Sequence, residues 1–430
     1  MKLLFTTALL LLAFVPFHAQ VSAPTPDAAR TEEAGLRQQA FDKVWNTVNE
    51  RHYDPTFGGV DWAKMREIYA PKAAAAKTRA EFHSVLRQLL AELKLSHFGI
   101  YPRDAETLAR QKTSGTIGVE LKMLDGQAVI VRVEPGSPAE TAGLKPGFAV
   151  SKVDGQTAAA ILKTVETSLA GRKLTPGMQQ VYRERNLLAM IGGTAGTTLN
   201  LEILDEKDQA RSFNIPRKSY SGEMSQALGN FPPQEVDFAS RRLASGVGYI
   251  RFNIWVIPQV QKLRNALRDL ADAKGIIIDL RGNPGGIGGL APGLAGMLVK
   301  ERASLGSMNT REAESKFIVY PQADPFLGKV VILEDYGSAS TSEVFASGMQ
   351  EIGRAKIVGE TSAGAVLPSV FEMLPTGVVF QYAVSDYRSP KNILIEGRGV
   401  IPDVEVKQTR KDLLKGIDAP LEAAEKILLN

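Results

Sequence analysis

A serine-rich junction is the part of this sequence whose residue types and spacing could do chemistry. The stretch EDYGSASTSEVFASGMQEIGR begins at Glu334 as a glycine-serine turn and continues as an amphipathic helical pattern. Four hydroxyl residues crowd that junction: Ser338, Ser340, Thr341 and Ser342. A helix start needs only one hydroxyl as a cap, whereas a serine there also lies where the helix dipole and free backbone N–H groups stabilise a developing anion. The junction therefore suits a serine nucleophile, and simple capping by these hydroxyls is the alternative.

Two glycine-containing loops follow apolar runs that have the character of buried strands. RGNPGG follows GIIIDL, and YGSAS of the serine-rich junction follows KVVILED. In an α/β sheet, ligands bind beyond the carboxyl ends of the strands, and glycine lets the backbone approach a ligand closely. The first loop lacks the lysine of a P-loop and the G-x-G-x-x-G spacing after a first strand, which argues against a nucleotide site. Both loops are therefore expected at the ligand-binding edge of a sheet.

Candidate bases and metal ligands are few. The chain has four histidines, at positions 18, 52, 83 and 97, with no H-E-x-x-H pattern and no pair at i,i+4. It has no cysteine, which removes disulfides, thiol nucleophiles and cysteine-ligated metals. We therefore predict neither a metal centre nor a cofactor. Taken alone, His97 would be an ordinary partly buried histidine and Glu396 a surface acid.

The elements that must position these groups change in character twice along the chain. Hydrophobic residues make up 44% and charged residues 23% of the 430 positions, as in a soluble globular protein of two or three domains. The pattern is helical to about Leu95, changes to short strands from about Lys112 and alternates strand with helix from about Val247. Near-continuous apolar strands in the last part indicate parallel pairing with helices on the faces.

These patterns predict a multidomain α+β protein. Its predicted parts are an N-terminal helical domain over 24–111, a β-rich domain over 112–217, an α/β domain over 218–405 and a C-terminal helical tail over 406–430. The helical stretch within the β-rich domain is long, which suggests an insertion near residues 171–178.

The first residues have the pattern of a secretory signal. Lys2 is followed by an apolar run from Leu3 to Val15 and then by small residues, so residues 1–23 are predicted as a signal peptide cleaved after Ala23 or Ala19. That run is too short for a membrane span, and no later apolar stretch approaches 18 residues. The net charge of +4 is spread among acids without a basic block, which argues against nucleic acid. We expect an exported protein, periplasmic or secreted, without stable membrane insertion.

Three longer stretches resemble one family of enzymes. The run GSASTSEVFASGMQEIGRAKIVGE, with DLRGNPGG upstream and GRGVIPDVEV downstream, resembles the C-terminal processing peptidases and the related tricorn core proteases. IGVELKMLDGQAVIVRVEPGSPAETAGLKPG resembles the PDZ domain of these enzymes, and RHYDPTFGGVDW with LLAELKLSH resembles the N-terminal helical segment of the tricorn-like branch. The resemblance implies an exported serine endopeptidase with a catalytic domain of the Clp protease/crotonase-like type, acting on protein or peptide substrates.

The resemblance also implies the catalytic residues. The family's nucleophile falls on Ser340. Ala365 occupies the place of the lysine base of one branch, so a Ser–Lys dyad is absent. The other branch uses a histidine preceded by serine and a distant glutamate, and these positions match His97, Ser96 and Glu396. His97 would take the proton of the nucleophile, with activity rising through a histidine pKa of about 6.5.

Backbone groups complete the implied site. The N–H groups of Thr341 and of the glycine pair Gly285–Gly286 would hold the oxyanion, and the sequence does not decide which glycine donates. In the PDZ-like part, the N–H groups of Ile117, Gly118 and Val119 would hold a substrate's terminal carboxylate while the peptide adds as a strand. As alternatives, this part only braces its neighbours, or the whole chain is a non-catalytic binding protein on the same fold.

Overall fold

The computed structural model describes residues 26–101, 114–169, 172 and 174–430. The predicted signal peptide lies outside the described residues, as does part of the predicted insertion near 171–178. The helices are α1 (Pro26–Arg51), α2 (Trp62–Ala75), α3 (Arg79–Ala91), α4 (Pro138–Thr141), α5 (Ala158–Leu169), α6 (Pro176–Ile191), α7 (Ile257–Asp269), α8 (Leu290–Gly296), α9 (Thr341–Glu351), α10 (Arg410–Leu414) and α11 (Ala419–Leu429). Within the described ranges, none of them is long and apolar enough to cross a membrane.

The strands are short, and most belong to two six-stranded sheets. Those of the first half are β1 (Gly99–Tyr101), β2 (Ser114–Thr116), β3 (Val119–Leu124), β4 (Gln127–Val133), β5 (Ala149–Val153), β6 (Gln156–Thr157), β7 (Gly193–Thr194), β8 (Thr198–Leu204), β9 (Ala210–Pro216) and β10 (Lys218–Ser219). Those of the second half are β11 (Glu223–Met224), β12 (Glu235–Val236), β13 (Phe238–Arg242), β14 (Gly248–Phe252), β15 (Ile276–Asp279), β16 (Ala303–Asn309), β17 (Glu314–Val319), β18 (Val330–Glu334), β19 (Lys356–Gly359), β20 (Ser369–Met373), β21 (Val379–Ala383), β22 (Asp386–Arg388) and β23 (Val404–Glu405).

The central sheet carries the two predicted glycine loops. Its strand order is β13-β14-β15-β18-β19-β23, parallel from β14 to β23 with β13 antiparallel at one edge. One face packs against α7, α8 and α9 and the other against α11, so the central strands β15 and β18 are buried throughout. Parallel pairing with helices on both faces agrees with the prediction, and it brings the carboxyl ends of β15 and β18 to the same edge.

The N-terminal helices share their core with a later part of the chain. Phe41 and Leu86 of α1 and α3 lie in one apolar cluster with Phe380 and Tyr382 of β21. Strand β1 also pairs with β21 in a three-stranded sheet of order β1-β21-β20. The sequence pattern gave no sign of this sheet, and it is what carries the segment around His97 to the central sheet.

A second six-stranded sheet follows the N-terminal helices in the chain and precedes the strands of the central sheet. We call it and its helices the middle unit. Strands β3, β4, β5, β8 and β9 form a sheet in that order, with β6 paired to β5, and they share a core with α5 and α6. Lys122 of β3 lies 2.9 Å from Asp335, directly after β18. The hydroxyl of Tyr336 contacts Glu184 of α6 and accepts from the N–H of Met123 at 3.1 Å. These contacts fix the unit against the loop that leads to Ser340.

Candidate active site

Ser340 is the hydroxyl of the serine-rich junction that differs most from its neighbours. Ser338 and Ser342 are fully buried. The Ser338 hydroxyl donates to the carbonyl of Leu280 at 2.8 Å, and Ser342 Oγ accepts from the indole N–H of Trp255 at 2.9 Å. Ser340 is partly exposed and has φ 55° and ψ −118°, a conformation that a residue with a side chain rarely adopts. Such strain at a strand-to-helix turn is the geometry by which hydrolases present a nucleophile.

A hydrogen-bonded relay joins Ser96, His97 and Glu396 across the chain. Ser96 Oγ lies 2.6 Å from His97 Nδ1 and donates to Glu396 Oε2 at 3.0 Å. The N–H of Ser96 donates to Glu396 Oε1 at 2.8 Å. Because the Ser96 proton points to the carboxylate, its oxygen must accept from His97, which places the imidazole proton on Nδ1. Nε2 is then the unprotonated nitrogen, which is the protonation state that a general base requires.

The ionisation states agree with that role. Burial lowers the pKa of His97 to about 4, although the residue keeps part of its surface exposed, so the imidazole is neutral at pH 7. Burial raises the pKa of Glu396, while the N–H groups of Val366 and Ser96 favour its carboxylate form. The expected unperturbed histidine pKa of about 6.5 therefore does not describe His97.

The two glycines of RGNPGG differ in what their N–H groups do. Gly285 donates to Asn283 Oδ1 at 3.0 Å, and a side chain at this position would meet Ser340 Cβ at 2.6 Å. Within the described part of the chain, neither the N–H of Gly286 nor that of Thr341 has an acceptor. The Thr341 hydroxyl donates to the Gly286 carbonyl at 3.0 Å and so holds the two segments together. Sequence reasoning named Thr341 for its backbone alone and missed this side-chain contact.

The lysines near the site are unsuited to act as bases. Ala365, in the place of a lysine, is buried and its carbonyl accepts the N–H of Ser340 at 2.9 Å. Lys356 and Lys391 are exposed. Lys122 lies next to the nucleophile loop, but its ion pairs with Asp335 and Glu184 outweigh burial and raise its pKa, so it stays protonated.

The predicted carboxylate-binding loop of the middle unit is partly engaged. The N–H of Gly118 donates to Thr116 Oγ1 at 3.0 Å, and Ile117 is fully buried. The loop leads into β3, which is the edge strand of its sheet. In β3 the N–H of Met123 donates to Glu184 Oε1 at 2.8 Å. A cavity of about 230 Å³ lies beside the start of this strand, lined by residues that include Val119 and Leu188 of α6.

The comparisons with known proteins extend over most of the chain. The profile described as Peptidase family S41 matches residues 246–406, and that of the Tricorn protease C1 domain matches residues 36–91. The carboxyl-terminal-processing protease of Synechocystis sp. is 28% identical over 394 residues, covering 89% of this chain and 83% of that protein. The chloroplastic C-terminal processing peptidase of Tetradesmus obliquus is 27% identical over 401 residues, covering 90% and 80%.

Solved structures show the same mixed α/β architecture. The photosystem II D1 C-terminal processing protease has a TM-score of 0.59 at 20% identity and covers 92% of this chain and 97% of its own. Mature CPAF has a TM-score of 0.62 at 14% identity, with coverages of 91% and 97%. The fold similarity therefore includes the N-terminal helices, the middle unit and the central sheet together.

Proposed function

We propose that this chain, which is similar to C-terminal processing peptidases and matches the Peptidase family S41 profile, hydrolyses peptide bonds with Ser340 as nucleophile and His97 as general base. The observation that carries the assignment is the relay from His97 through Ser96 to Glu396, whose direction leaves Nε2 unprotonated. The strained conformation of Ser340 supports the same assignment.

The reaction follows from these roles. As Ser340 Oγ attacks the carbonyl carbon of the scissile bond, its proton passes to His97 Nε2. The imidazolium then gives that proton to the leaving amine as the C–N bond breaks, which leaves an acyl ester on the serine. A water molecule releases the acyl group by the same two proton transfers. Ser96 and Glu396 orient the imidazole and stabilise its charged form.

The free N–H groups beside Ser340 would bind the oxyanion. Thr341 and Gly286 are our choice of donors, because Gly285 already donates to Asn283. The role of Gly285 is then close approach, since any side chain there would collide with Ser340. Loss of one oxyanion donor typically costs about 3 kcal/mol of transition-state stabilisation.

Active-serine labelling tests this function directly. A fluorophosphonate should modify the purified protein at one residue, and peptide mapping by mass spectrometry should locate the adduct on Ser340. Ser338 and Ser342 serve as internal controls because both are buried and hydrogen-bonded. An adduct on Ser338 or Ser342 would assign the nucleophile to that residue instead of Ser340. Absence of both labelling and hydrolysis would favour the non-catalytic binding protein.

The middle unit is proposed to be a PDZ-like domain, attached to a catalytic domain of the Clp protease/crotonase-like type. We propose that it selects substrates by their C-termini. The cavity beside the start of β3, lined by Val119, by β2 and by Leu188 and Ile191 of α6, offers space for the end of a peptide that adds beside the edge strand. The N–H groups of Ile117 and Val119 are then the candidates for the terminal carboxylate, since Gly118 already donates to Thr116. The bracing contacts of Lys122 and Tyr336 support the alternative, a purely structural role.

A pair of peptides separates these two roles. One sequence with a free and with an amidated C-terminus should be cleaved at different rates, the free form several-fold faster at low concentration. Leu188→Glu, which places a like charge in the cavity, should remove that difference. Ala189→Glu is the matched control, because Ala189 is the next residue of α6 and is exposed. If the unaltered enzyme cleaved both peptides at equal rates, the middle unit would not select substrates by their C-termini, and the structural role would be favoured.

We also propose that the protein is exported, on the basis of residues 1–23. The pattern of a basic residue, an apolar run and small residues supports it.

A further inference from the structure

Glu343 is a buried carboxylate directly behind the nucleophile. It is the third residue of α9 and has no exposed surface. Its oxygens accept four hydrogen bonds, from the Ser362 hydroxyl at 2.5 Å and from the N–H groups of Gly364 at 2.7 Å, Ala365 at 3.0 Å and Ser340 at 3.0 Å. Within the described residues, no lysine or arginine pairs with it. An uncompensated buried carboxylate is costly, so these four donors stabilise its position.

The four donors come from two places in the proposed active site: the nucleophile Ser340, and a segment that contacts the residues orienting the base. Ser340 carries the nucleophile. The segment 362–366 also binds Ser340 through the Ala365 carbonyl, and at its other end the N–H of Val366 donates to Glu396 Oε2 at 2.9 Å. Glu396 in turn holds Ser96. Hydrogen bonds on either side of the Ala365–Val366 peptide thus connect the nucleophile, through Glu343, to the acid that orients the base.

We propose that Glu343 is a positioning residue that sets the distance and orientation between the nucleophile and the base. The inference rests on the proposed roles of Ser340 and His97. Glu343 touches no substrate atom in this scheme; it fixes the backbone of Ser340 and the segment that receives Glu396. A misplacement of about 1 Å in such a pair is enough to lower turnover about 10²-fold.

Ionisation of Glu343 should make this role visible in the pH profile. Burial raises the pKa of Glu343 to about 7, although the four donors oppose the shift. The titratable groups that face it are Glu334 of β18, whose buried carboxyl has a pKa raised well above its ordinary value, and Tyr387 of β22. The carboxylate accepts all four donors, whereas a protonated oxygen must give up one of them. Turnover should therefore rise with pH through about 7.

Stability should change in the opposite direction. A carboxyl whose pKa is higher in the folded than in the unfolded state binds more protons when folded. Its contribution to the free energy of unfolding is therefore present at low pH and declines as pH rises from about 4.5, the value of a free glutamate, to about 7. If Glu343 affected turnover only through the stability of the fold, turnover and the free energy of unfolding would both fall as the pH rises.

The test compares Glu343→Gln with Glu351→Gln in the full chain. Glu351 ends the same helix and also accepts from a hydroxyl, that of Ser389, and from a backbone N–H, that of Lys391. Glu343→Gln should lower kcat about 10- to 100-fold with KM changed less than about 3-fold, and the rate of fluorophosphonate labelling should fall with kcat. It should also lose the rise in turnover near pH 7. Glu351→Gln should match the unaltered enzyme in all three measurements.

A second variant decides the matter if Glu343→Gln does not fold. Ser362→Ala removes one hydroxyl donor from Glu343 and should shift the rise in turnover up by about one pH unit. A rise in turnover caused by deprotonation of His97 would instead stay at the same pH. Ser389→Ala is its control, since it removes the corresponding donor from Glu351. Unchanged kcat in folded Glu343→Gln, or an unmoved limb in Ser362→Ala, overturns the inference while leaving the peptidase function intact. No hydrolysis by the unaltered enzyme overturns both.

Discussion

Replacing Ser340 with alanine should abolish peptide hydrolysis and fluorophosphonate labelling while leaving the fold intact. Loss of a nucleophile in a serine peptidase typically lowers kcat about 10⁶-fold, because the remaining groups act only through it. Alanine retains Cβ and adopts the same positive φ with the same strain as serine, so the free energy of unfolding should fall by no more than the loss of one helix cap, about 1 kcal/mol. The measurements are steady-state hydrolysis of a peptide, labelling with the probe and a thermal unfolding curve.

Ser347→Ala is the matched control for this prediction. Ser347 lies on the same helix and is almost fully buried, but its hydroxyl donates to the Glu343 carbonyl rather than facing the site. It should retain activity within several-fold of the unaltered enzyme. Substantial hydrolysis by purified Ser340→Ala would remove the serine mechanism altogether.

His97→Ala should be almost as inactive as Ser340→Ala, and Lys356→Ala should be nearly normal. Without an imidazole no group accepts the nucleophile's proton, and loss of the histidine typically costs a similar factor of about 10⁶ in kcat. Lys356 is exposed on β19, and Ala365 occupies the place where a lysine base would lie. Because burial lowers the pKa of His97, the acid limb that belongs to it should lie well below pH 6.5.

The pH profile provides the check on this second prediction. In Glu343→Gln, where the rise near pH 7 should be absent, kcat/KM should fall only as the pH drops towards about 4, the pKa of His97. An active His97→Ala combined with an inactive Lys356→Ala would show that the base is a lysine.

The residues that could be predicted from the sequence are those fixed by local chemistry. The serine-rich junction stands between an apolar strand and an amphipathic helix, and that local pattern marks it as a place for a nucleophile. The family resemblance then selected Ser340 among its four hydroxyl residues. His97 and Glu396 have no such pattern, and only the family resemblance pointed to them. Their meeting depends on the pairing of β1 with β21, which is a long-range feature without a periodic signal.

Two features of the site depended on atomic geometry. The choice between Gly285 and Gly286 rests on a single hydrogen bond to Asn283, and no residue pattern encodes it. The position of Glu343 at the third residue of the helix indicates only a capping role. Its contacts with Gly364 and Ala365 come from a segment about 20 positions further along, so they become visible only when the chain is folded.

The bond between Ser96 and Glu396 spans 300 residues. Closing this loop costs conformational entropy before the contacts it makes can repay it, so the bond forms together with the core and not ahead of it. A chain still emerging from the ribosome therefore carries the histidine without its orienting acid, and for most of synthesis without the nucleophile. On the proposed assignment, hydrolytic competence is among the last properties the molecule acquires, so we expect an unfinished or unfolded copy to be unable to cleave itself or its neighbours.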